Sequence, residues 1–284
     1  MLEILGYEFF RNALLAGILA SIACGIIGSY VVVKRMVALS GGISHAAFGG
    51  IGLGYFLGFD PILGAVGFAL AVSTGIGILR EKAVQNLDTL IGAVWAAGMA
   101  IGILFISLTP GYAPDLFSYL FGNILLVPQG DLLLMGVLAL VIIGAVIIVY
   151  SPLLAVTFDE EYARVMNLPV TGLMLLLLGL TALTVVMLIR VVGIILVIAL
   201  LTLPAAIARE YAGEMRRMMV LAVAGGMIFT FSGIWLSCLF DIPSGATIIL
   251  VSVAAYLVVL GERRLGLIGR NAGQVSQKDV NRAK

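Results

Sequence analysis

The chain has 284 residues, of which 62% are hydrophobic and only 11% charged, and its mean hydropathy is +1.19. Soluble domains carry about 25% charged residues, so this composition excludes an ordinary soluble protein and predicts a polytopic membrane protein. The net charge is +1 and no basic patch with interleaved aromatics occurs, so we expect no nucleic-acid partner. Cys24 and Cys238 lie in apolar runs and are expected to be two buried thiols.

Apolar runs of about 20 residues, long enough to cross a bilayer, occur nine times along the chain. They are Asn12–Val33, Val37–Gly58, Pro61–Leu79, Thr89–Leu108, Leu132–Tyr150, Val170–Ile189, Val191–Ala208, Met218–Phe240 and Ile242–Gly261. The predicted fold is all-α, a bundle of about nine transmembrane helices in residues 1–264. The polar residues 265–284 are expected to form a flexible cytoplasmic tail.

The basic residues orient these spans. With a cytoplasmic C-terminus, only Arg11 and Arg190 lie outside, which leaves 14 of the 16 basic residues inside. The positive-inside rule selects this orientation. Nine spans then place the N-terminus outside.

The second span carries a stripe of small residues and one imidazole. Gly42, Ala46, Gly50, Gly54 and Gly58 recur every fourth residue, which predicts one flat face for close approach of another helix. His45, the single histidine of the chain, lies beside this stripe. An ionisable residue within a span is a functional hypothesis, and imidazole is a common ligand of zinc, manganese or ferrous iron. The alternative is a histidine that only hydrogen-bonds a neighbouring helix.

A short apolar segment at Leu116–Val127 follows the fourth span. Its 12 residues are too few to cross a bilayer, so we expect an outer half-helix covered by other helices. Its bulky side chains make it an outer-gate hypothesis, with Gly122 as a pivot. The gate residues would be Phe117, Tyr119, Leu120 and Phe121.

The longest inner loop contains a predicted short helix, Asp159–Leu168. Asp159 is an expected N-cap, and Glu160 and Glu161 lie in the first turn, where the helix dipole favours carboxylates. Tyr162, Val165 and Met166 share one face. This helix is either a connector on the lipid headgroups or a docking element for a cytoplasmic partner. Its expected coupling residues are Asp159, Glu160, Glu161, Tyr162, Ala163 and Arg164.

No carboxylate lies in the middle of a span, although coupled secondary transporters commonly carry one there. The chain also lacks a Walker A motif, so energy for transport would come from another polypeptide. Ser44 and His45 are adjacent on a helix and point about 100° apart, so they cannot form a nucleophile–base pair. We therefore expect a transport subunit and not an enzyme.

Four sequence motifs occur in a family order. VVVKRMVALSGGISHAAFGGIGLG resembles the second-helix region of permease subunits in the zinc/manganese/iron class of ABC importers, the ABC-3 family. LDTLIGAVWAAGMAIGIL, LFGNILLV with FDEEYARVMNLPV, and VVGIILVIALLTLPAAIA resemble the regions that follow. Many relatives carry Asp at the position of Gly41, four residues before the histidine, and this chain does not.

The resemblance implies a type II ABC importer-like permease in the cytoplasmic (inner) membrane of a prokaryote. It implies a homodimer embedded in membrane lipid, two cytoplasmic ATP-binding cassette subunits that hold the ATP, and an extracellular metal-binding protein. The transported ion would be zinc or manganese, with iron as a further option. The alternatives are a permease for a metal chelate such as siderophore-iron or cobalamin, and a secondary metal transporter.

Overall fold

The computed structural model describes residues 7–82, 87–110 and 122–265, which fold almost entirely as helices. Within these ranges there are ten α-helices and a 3₁₀ turn at Ile124–Leu126. The helices are α1 (Glu8–Val33), α2 (Val37–Leu57), α3 (Pro61–Lys82), α4 (Leu87–Leu108), α5 (Gln129–Ile148), α6 (Tyr150–Phe158), α7 (Glu160–Val165), α8 (Val170–Tyr211), α9 (Met215–Phe240) and α10 (Ser244–Arg264). The all-α prediction is confirmed.

Nine segments of the described chain are long and apolar enough to cross a membrane, and they match the nine predicted spans in order. Two of them, Val170–Ile189 and Val191–Tyr211, form the long α8, which bends at Gly193 with φ 77° and ψ 161°. Only glycine adopts this conformation readily. The protein is therefore a multi-pass membrane protein with one sharp turn in place of a loop.

The helices differ in how much of their surface the bundle covers. α1, α2 and both halves of α8 form the buried centre, whereas α4 and α5 lie at the periphery. α1 packs mainly against α8 and α9, and α2 mainly against α3 and α4. The second span is thus held from two sides, and His45 lies on its buried part.

The small-residue stripe of α2 meets two helices, whereas the sequence predicted one flat face. A Cβ on Gly50 would lie 2.0 Å from the Gly64 carbonyl oxygen of α3. A Cβ on Gly42 would lie 2.9 Å from the Ile91 side chain of α4. Gly58 makes no such contact, because it ends α2 in the left-handed conformation with φ 75°. Glycine at position 50 allows the backbone of α3 to approach closely, and glycine at position 42 leaves room for a side chain of α4.

Residues that the charge pattern assigns to opposite sides of the membrane lie at opposite ends of the bundle. At the basic end, which we define by Lys34, Arg80 and Glu160, residues from α1, α3 and α7 meet. At the opposite end, the Asn12 amide donates to the Val127 carbonyl oxygen at 3.3 Å. Residues assigned to one side of the membrane thus contact residues assigned to the same side.

The expectation of two buried thiols is half right. Cys24 is buried within α1, but Cys238 is exposed near the end of α9. An apolar run of this length can face lipid as readily as protein, so hydrophobicity alone did not separate the two cases.

Candidate metal site and coupling region

His45 lies near the middle of α2. It is eight residues beyond Val37, the first residue of the helix, which corresponds to about 12 Å along the axis. The residue is half-buried, and its Nδ1 atom is buried without a hydrogen-bond partner among the described residues. Most buried polar side-chain atoms have such a partner. The alternative of a histidine that bonds a neighbouring helix through Nδ1 therefore finds no support in the described chain.

The imidazole of His45 stacks on the indole of Trp95 from α4. The ring centroids are 4.1 Å apart and the rings are inclined by 15°, which is a stacked arrangement. Trp95 is 38% exposed, so its indole covers one side of the imidazole and also reaches the surface of the chain. The stack fixes the plane of the histidine ring.

The space above Gly41 is filled by the same indole. A Cβ built on Gly41 would lie 3.1 Å from Cζ3 of Trp95 and 3.6 Å from Cη2. Residues four apart on a helix lie on one face, so Gly41 and His45 both contact Trp95. The glycine at this position is the residue that allows the indole to lie against α2.

The described part of the chain holds no group of three or more His, Cys, Asp or Glu side chains that could bind a metal. His45, the predicted metal ligand, therefore lies near the middle of α2 without a cluster of further ligands around it in the described residues. A metal site with several ligands would need residues from a second molecule or from segments beyond the described ranges.

The short helix predicted at Asp159–Leu168 is observed as α7, but it is shorter and covers only Glu160–Val165. Asp159 caps it, because its carboxylate accepts a hydrogen bond from the Tyr162 backbone N–H at 2.9 Å. Asn167 follows in the left-handed conformation, with φ 57°, and ends the helical segment. The capping prediction is confirmed, and the helix is held at both ends.

The faces of α7 have different environments. Ala163 is fully buried, and Tyr162 is half-buried. Val165 and Met166 are 79% and 52% exposed, respectively. Glu161 and Arg164 are also exposed. The helix therefore presents an apolar, solvent-facing end that nothing in the described chain covers.

Glu160 connects this helix to two membrane helices. One carboxylate oxygen lies 2.5 Å from Lys34 Nζ at the end of α1 and 2.7 Å from Arg80 Nη2 in α3. Lys34 Nζ also donates to the Val156 carbonyl oxygen at 2.6 Å. The Lys34 side chain is only 7% exposed, whereas those of Glu160 and Arg80 are 28% and 29% exposed.

The pKa values in this cluster follow from burial and pairing. Burial raises the pKa of Glu160, but hydrogen bonds and charge attraction from Lys34 and Arg80 outweigh it, so the net pKa lies below its ordinary value. Burial lowers the pKa of Lys34, and Glu160 only partly offsets that effect. The lowered pKa of Glu160 keeps this side chain a carboxylate at neutral pH.

The outer-gate residues Phe117, Tyr119, Leu120 and Phe121 lie outside the described residues. Gly122, at the edge of that segment, has φ 61°, and a Cβ on it would lie 2.2 Å from the Val192 carbonyl carbon. The structure explains why residue 122 is a glycine on a ground that the pivot hypothesis did not include. Its backbone packs against the bend between the two halves of α8.

Sequence reasoning missed Trp95, Lys34 and Arg80 as site residues. A tryptophan in an apolar run carries no sign of stacking on a histidine 50 positions earlier. Lys34 and Arg80 were used only to orient the chain. The run of three carboxylates Asp159–Glu161, predicted on the same side as the basic ends of two spans, is the signal that could have suggested an ion pair.

The exposed surface of α4 around Trp95 differs in side-chain size from that of α5, although the end of α4 exposes Ile103, Leu104 and Leu108. On α4, the exposed residues near Trp95 are small, and they are Gly92, Ala93, Ala96, Ala97 and Ala100. On α5, the exposed residues are bulky, with Leu133 72%, Leu140 70% and Ile147 70% exposed. Bulky aliphatic side chains suit lipid, and small ones suit contact with another helix.

Residues 6–262 match the model of the ABC 3 transport family. The chain is 51% identical over 264 residues to an uncharacterized membrane protein of Synechocystis sp., covering 93% of this chain and 94% of that protein. It is 33% identical over 252 residues to the manganese transport system membrane protein MntC of Listeria monocytogenes, covering 89% and 90%.

A solved structure has the same fold. PsaBC from Streptococcus pneumoniae, determined in complex with Fab, contains a chain that is 30% identical, with a TM-score of 0.83. The likeness covers 93% of this chain and 96% of that chain.

Proposed function

This chain belongs to the ABC 3 transport family and is a membrane permease of a metal importer, and we propose that it forms the pathway for a divalent transition metal as a homodimer. The ion would be zinc or manganese, with iron as a further option. The observation that carries this proposal is His45, a mid-depth imidazole whose Nδ1 has no partner in the described chain.

Two copies of the chain would supply two imidazoles. One His45 cannot hold a metal ion alone, since bound metals take four or more ligands. A second copy placed on the small-residue face of α4 would bring the two Trp95–His45 pairs towards one another. The exposed Gly92, Ala96 and Ala100 support that arrangement, because they allow close approach of a helix.

A site with few ligands suits transport. Transport requires that the ion bind well enough to enter and weakly enough to leave. An imidazole that is oriented by stacking and lacks a carboxylate beside it meets both conditions. Neutral imidazole binds the metal and protonated imidazole does not, so transport requires the neutral form.

Energy would come from cytoplasmic ATP-binding cassette subunits that dock on α7. Because Glu160 ties α7 to the ends of α1 and α3, a push on α7 would reach two membrane helices through charged contacts. α2, which carries His45, begins only three residues after Lys34. An extracellular metal-binding protein would deliver the ion at the opposite end, where Asn12 contacts Val127.

The test compares two single variants in reconstituted vesicles that contain the ATP-binding subunits. We expect His45→Ala to assemble, to keep basal ATP hydrolysis and to lose metal uptake by about 100-fold or more. Ser44→Ala is the matched control, because its hydroxyl lies one residue away at the same depth and donates only to the Ser40 carbonyl oxygen. Uptake is measured with radioactive zinc and manganese. Wild-type uptake by His45→Ala would reject the assignment of this residue to the pathway.

The dimer arrangement has a separate test. We expect Ala96→Cys in a Cys238→Ser background to form a disulfide between two copies on mild oxidation. Val137→Cys on the lipid-type face of α5, which is 50% exposed, is the control and should remain monomeric. Cross-linking through position 137 and not through 96 would place the second copy on the other face.

A further inference from the structure

A groove lies between α5 and α9 and is open to the outside of the bundle. Both helices pack against α1, and Ile26 of α1 lines the groove between them. The groove has a volume of about 610 Å³, and its lining is apolar except for Tyr150 and Arg216. These two residues lie at helix ends, on the side that the basic residues assign to the cytoplasm. The groove thus combines an apolar body with one cationic end.

The length of the groove corresponds to the thickness of one bilayer leaflet. On α9 it extends from Arg216, in the first turn, to Met227. These two positions are about 16 Å apart along the helix axis, at 1.5 Å per residue. The hydrocarbon core of a bilayer is about 30 Å thick, so the groove covers about half of it. Arg216 therefore lies at the level of the lipid headgroups, and Met227 lies near the middle of the membrane.

The walls of the groove carry bulky aliphatic side chains that the bundle leaves uncovered. Ile147 of α5 is 70% exposed, and Val220 of α9 is 67% exposed. Close contacts between helices in a membrane use small residues, so these side chains suit hydrocarbon chains better than they suit another helix. The body of the groove therefore fits an acyl chain.

The cationic end of the groove suits a phosphate group. The guanidinium carbon of Arg216 lies 5.0 Å from the centroid of the Tyr150 ring, so the ring supports the charged group from one side. Arginine N–H groups donate paired hydrogen bonds to phosphate oxygens, and tyrosine is enriched at the headgroup level of membranes. Basic pockets between transmembrane helices on the cytoplasmic side are a known way to bind anionic lipid headgroups.

We propose that this groove binds one anionic phospholipid of the cytoplasmic leaflet, with the lipid phosphate on Arg216 and an acyl chain along Ile147 and Val220. The assignment does not depend on the transported ion, because the groove is formed by α1, α5, α9 and the first residue of α6. That residue, Tyr150, begins the segment that leads through Asp159 to α7. A bound lipid therefore contacts the segment that carries the cytoplasmic helix.

The experiment measures lipid binding to the full-length chain in detergent by native mass spectrometry, with phosphatidylglycerol and phosphatidylcholine as the probes. We expect one phosphatidylglycerol per chain to bind at least tenfold more tightly than phosphatidylcholine. Arg216→Gln should lower the affinity for phosphatidylglycerol at least tenfold, because it removes the cation. Arg217→Gln is the matched control and should bind as the wild type does. It removes the same charge from the neighbouring exposed residue, which does not line the groove.

A second variant, Ala224→Phe, tests the apolar body of the groove. Ala224 is exposed and lines the groove, so an aromatic ring there takes the place of the acyl chain without entering the buried core. We expect this variant to keep the wild-type melting temperature in the absence of added lipid. Its affinity for phosphatidylglycerol should fall at least tenfold.

Several outcomes would overturn the proposal. Equal affinities of the wild type for the two lipids would make the groove an unselective lipid surface. Equal losses in Arg216→Gln and Arg217→Gln would assign the binding to general surface charge. Inorganic phosphate that binds as tightly as phosphatidylglycerol would make the site one for a free anion. If Arg216→Gln fails to fold, Ala224→Phe decides, and wild-type binding by that variant rejects the groove as the site.

Discussion

Glu160 and His45 are both polar groups in a largely apolar bundle, but their surroundings are opposite. Glu160 contacts two cations within 2.7 Å and links three helices. His45 has a stacked aromatic neighbour and a ring nitrogen without a hydrogen-bond partner in the described chain. Buried charges are normally paired, and a polar group that is left unpaired costs free energy.

Under the proposed function, this difference corresponds to a structural role for Glu160 and a transport role for His45. A carboxylate with two cationic partners is suited to hold helices in one arrangement, since breaking the pairs leaves a buried charge. An imidazole with an unused nitrogen is suited to accept and release a ligand. The protein accordingly places its saturated contacts where force would be transmitted and its unsaturated group at mid-depth in the membrane.

We expect the largest effect from a substitution on the exposed surface of α7. Val165→Asp places a charge on the apolar end of α7, at a side chain that is 79% exposed and contributes little to the fold. We expect the ATP-binding subunits to dissociate and metal uptake to fall to background. Co-purification of these subunits and vesicle uptake measure both effects.

The control for this variant is Asn167→Asp. It adds the same charge two residues away, at an exposed position whose left-handed conformation asparagine and aspartate both tolerate. Complex formation and uptake should remain near wild type. If Val165→Asp also retained both, α7 would be a connector on the lipid headgroups.

The second effect compares the stability of the two regions directly. Glu160→Gln leaves Lys34, which is 7% exposed, without its carboxylate, and should cost about 2–3 kcal/mol of folding free energy. His45→Ala removes a stacking contact worth about 0.5–1.5 kcal/mol beyond area burial, and it also removes a buried nitrogen without a partner in the described chain, so it should cost less than Glu160→Gln. Thermal unfolding of both variants in detergent gives the ranking. If His45→Ala lost more folding free energy than Glu160→Gln, the histidine would have a mainly structural role.

Adding Lys34→Met to Glu160→Gln sharpens this prediction. The double variant removes both charges, so its loss should be smaller than the sum of the two single losses. Additive losses would mean that the observed contact between the two side chains contributes nothing measurable.

Much of the fold was predictable because bilayer thickness imposes a length on each span. Nine apolar runs became nine helical spans, with shifts of a few residues at the ends, such as Glu8 in place of Asn12. The break at Arg190 was also located to within a few residues, although the chain bends at Gly193. A run of about 20 apolar residues predicts a transmembrane helix by itself, without knowledge of any contact to other parts of the chain.

The site was less predictable because it depends on contacts between distant residues. His45 stood out by itself, and the Asp159 cap follows from local rules. The stack of Trp95 on His45 and the ion pairs of Glu160 join segments 50 to 126 positions apart. The packing of α2 against α4 brings Trp95 to His45, and the meeting of α7 with α3 and the end of α1 brings together the partners of Glu160. No periodicity in one helix specifies its neighbours.

A third effect tests how firmly α2 is held against α4 behind the histidine. A Cβ on Gly52 would lie 2.4 Å from the Gly102 carbonyl oxygen, which belongs to the backbone and cannot move aside alone. Gly52→Ala should therefore cost about 1–3 kcal/mol and reduce uptake by disturbing the stack. Gly67→Ala, which meets nothing within 4 Å, is the control and should behave as wild type. Equal melting temperatures for the two variants would contradict the close contact.

The smallest expected effect is the response of the Glu160 cluster to acid. The net pKa of Glu160 is lowered by Lys34 and Arg80 against the opposing effect of burial, so the folded state binds this proton less readily than the unfolded state, where the pKa is about 4.3. The stabilisation is complete above that value and is lost as pH falls towards the lower pKa of the folded state. The melting temperature of the wild type should therefore exceed that of Glu160→Gln at pH 7, and the gap should narrow below about pH 4.3. Because Glu160→Gln retains every other titrating group, it cancels their contributions. A gap that stays constant down to pH 3 would mean that the carboxylate charge does not stabilise the fold, and the contrast with His45 would then rest on geometry alone.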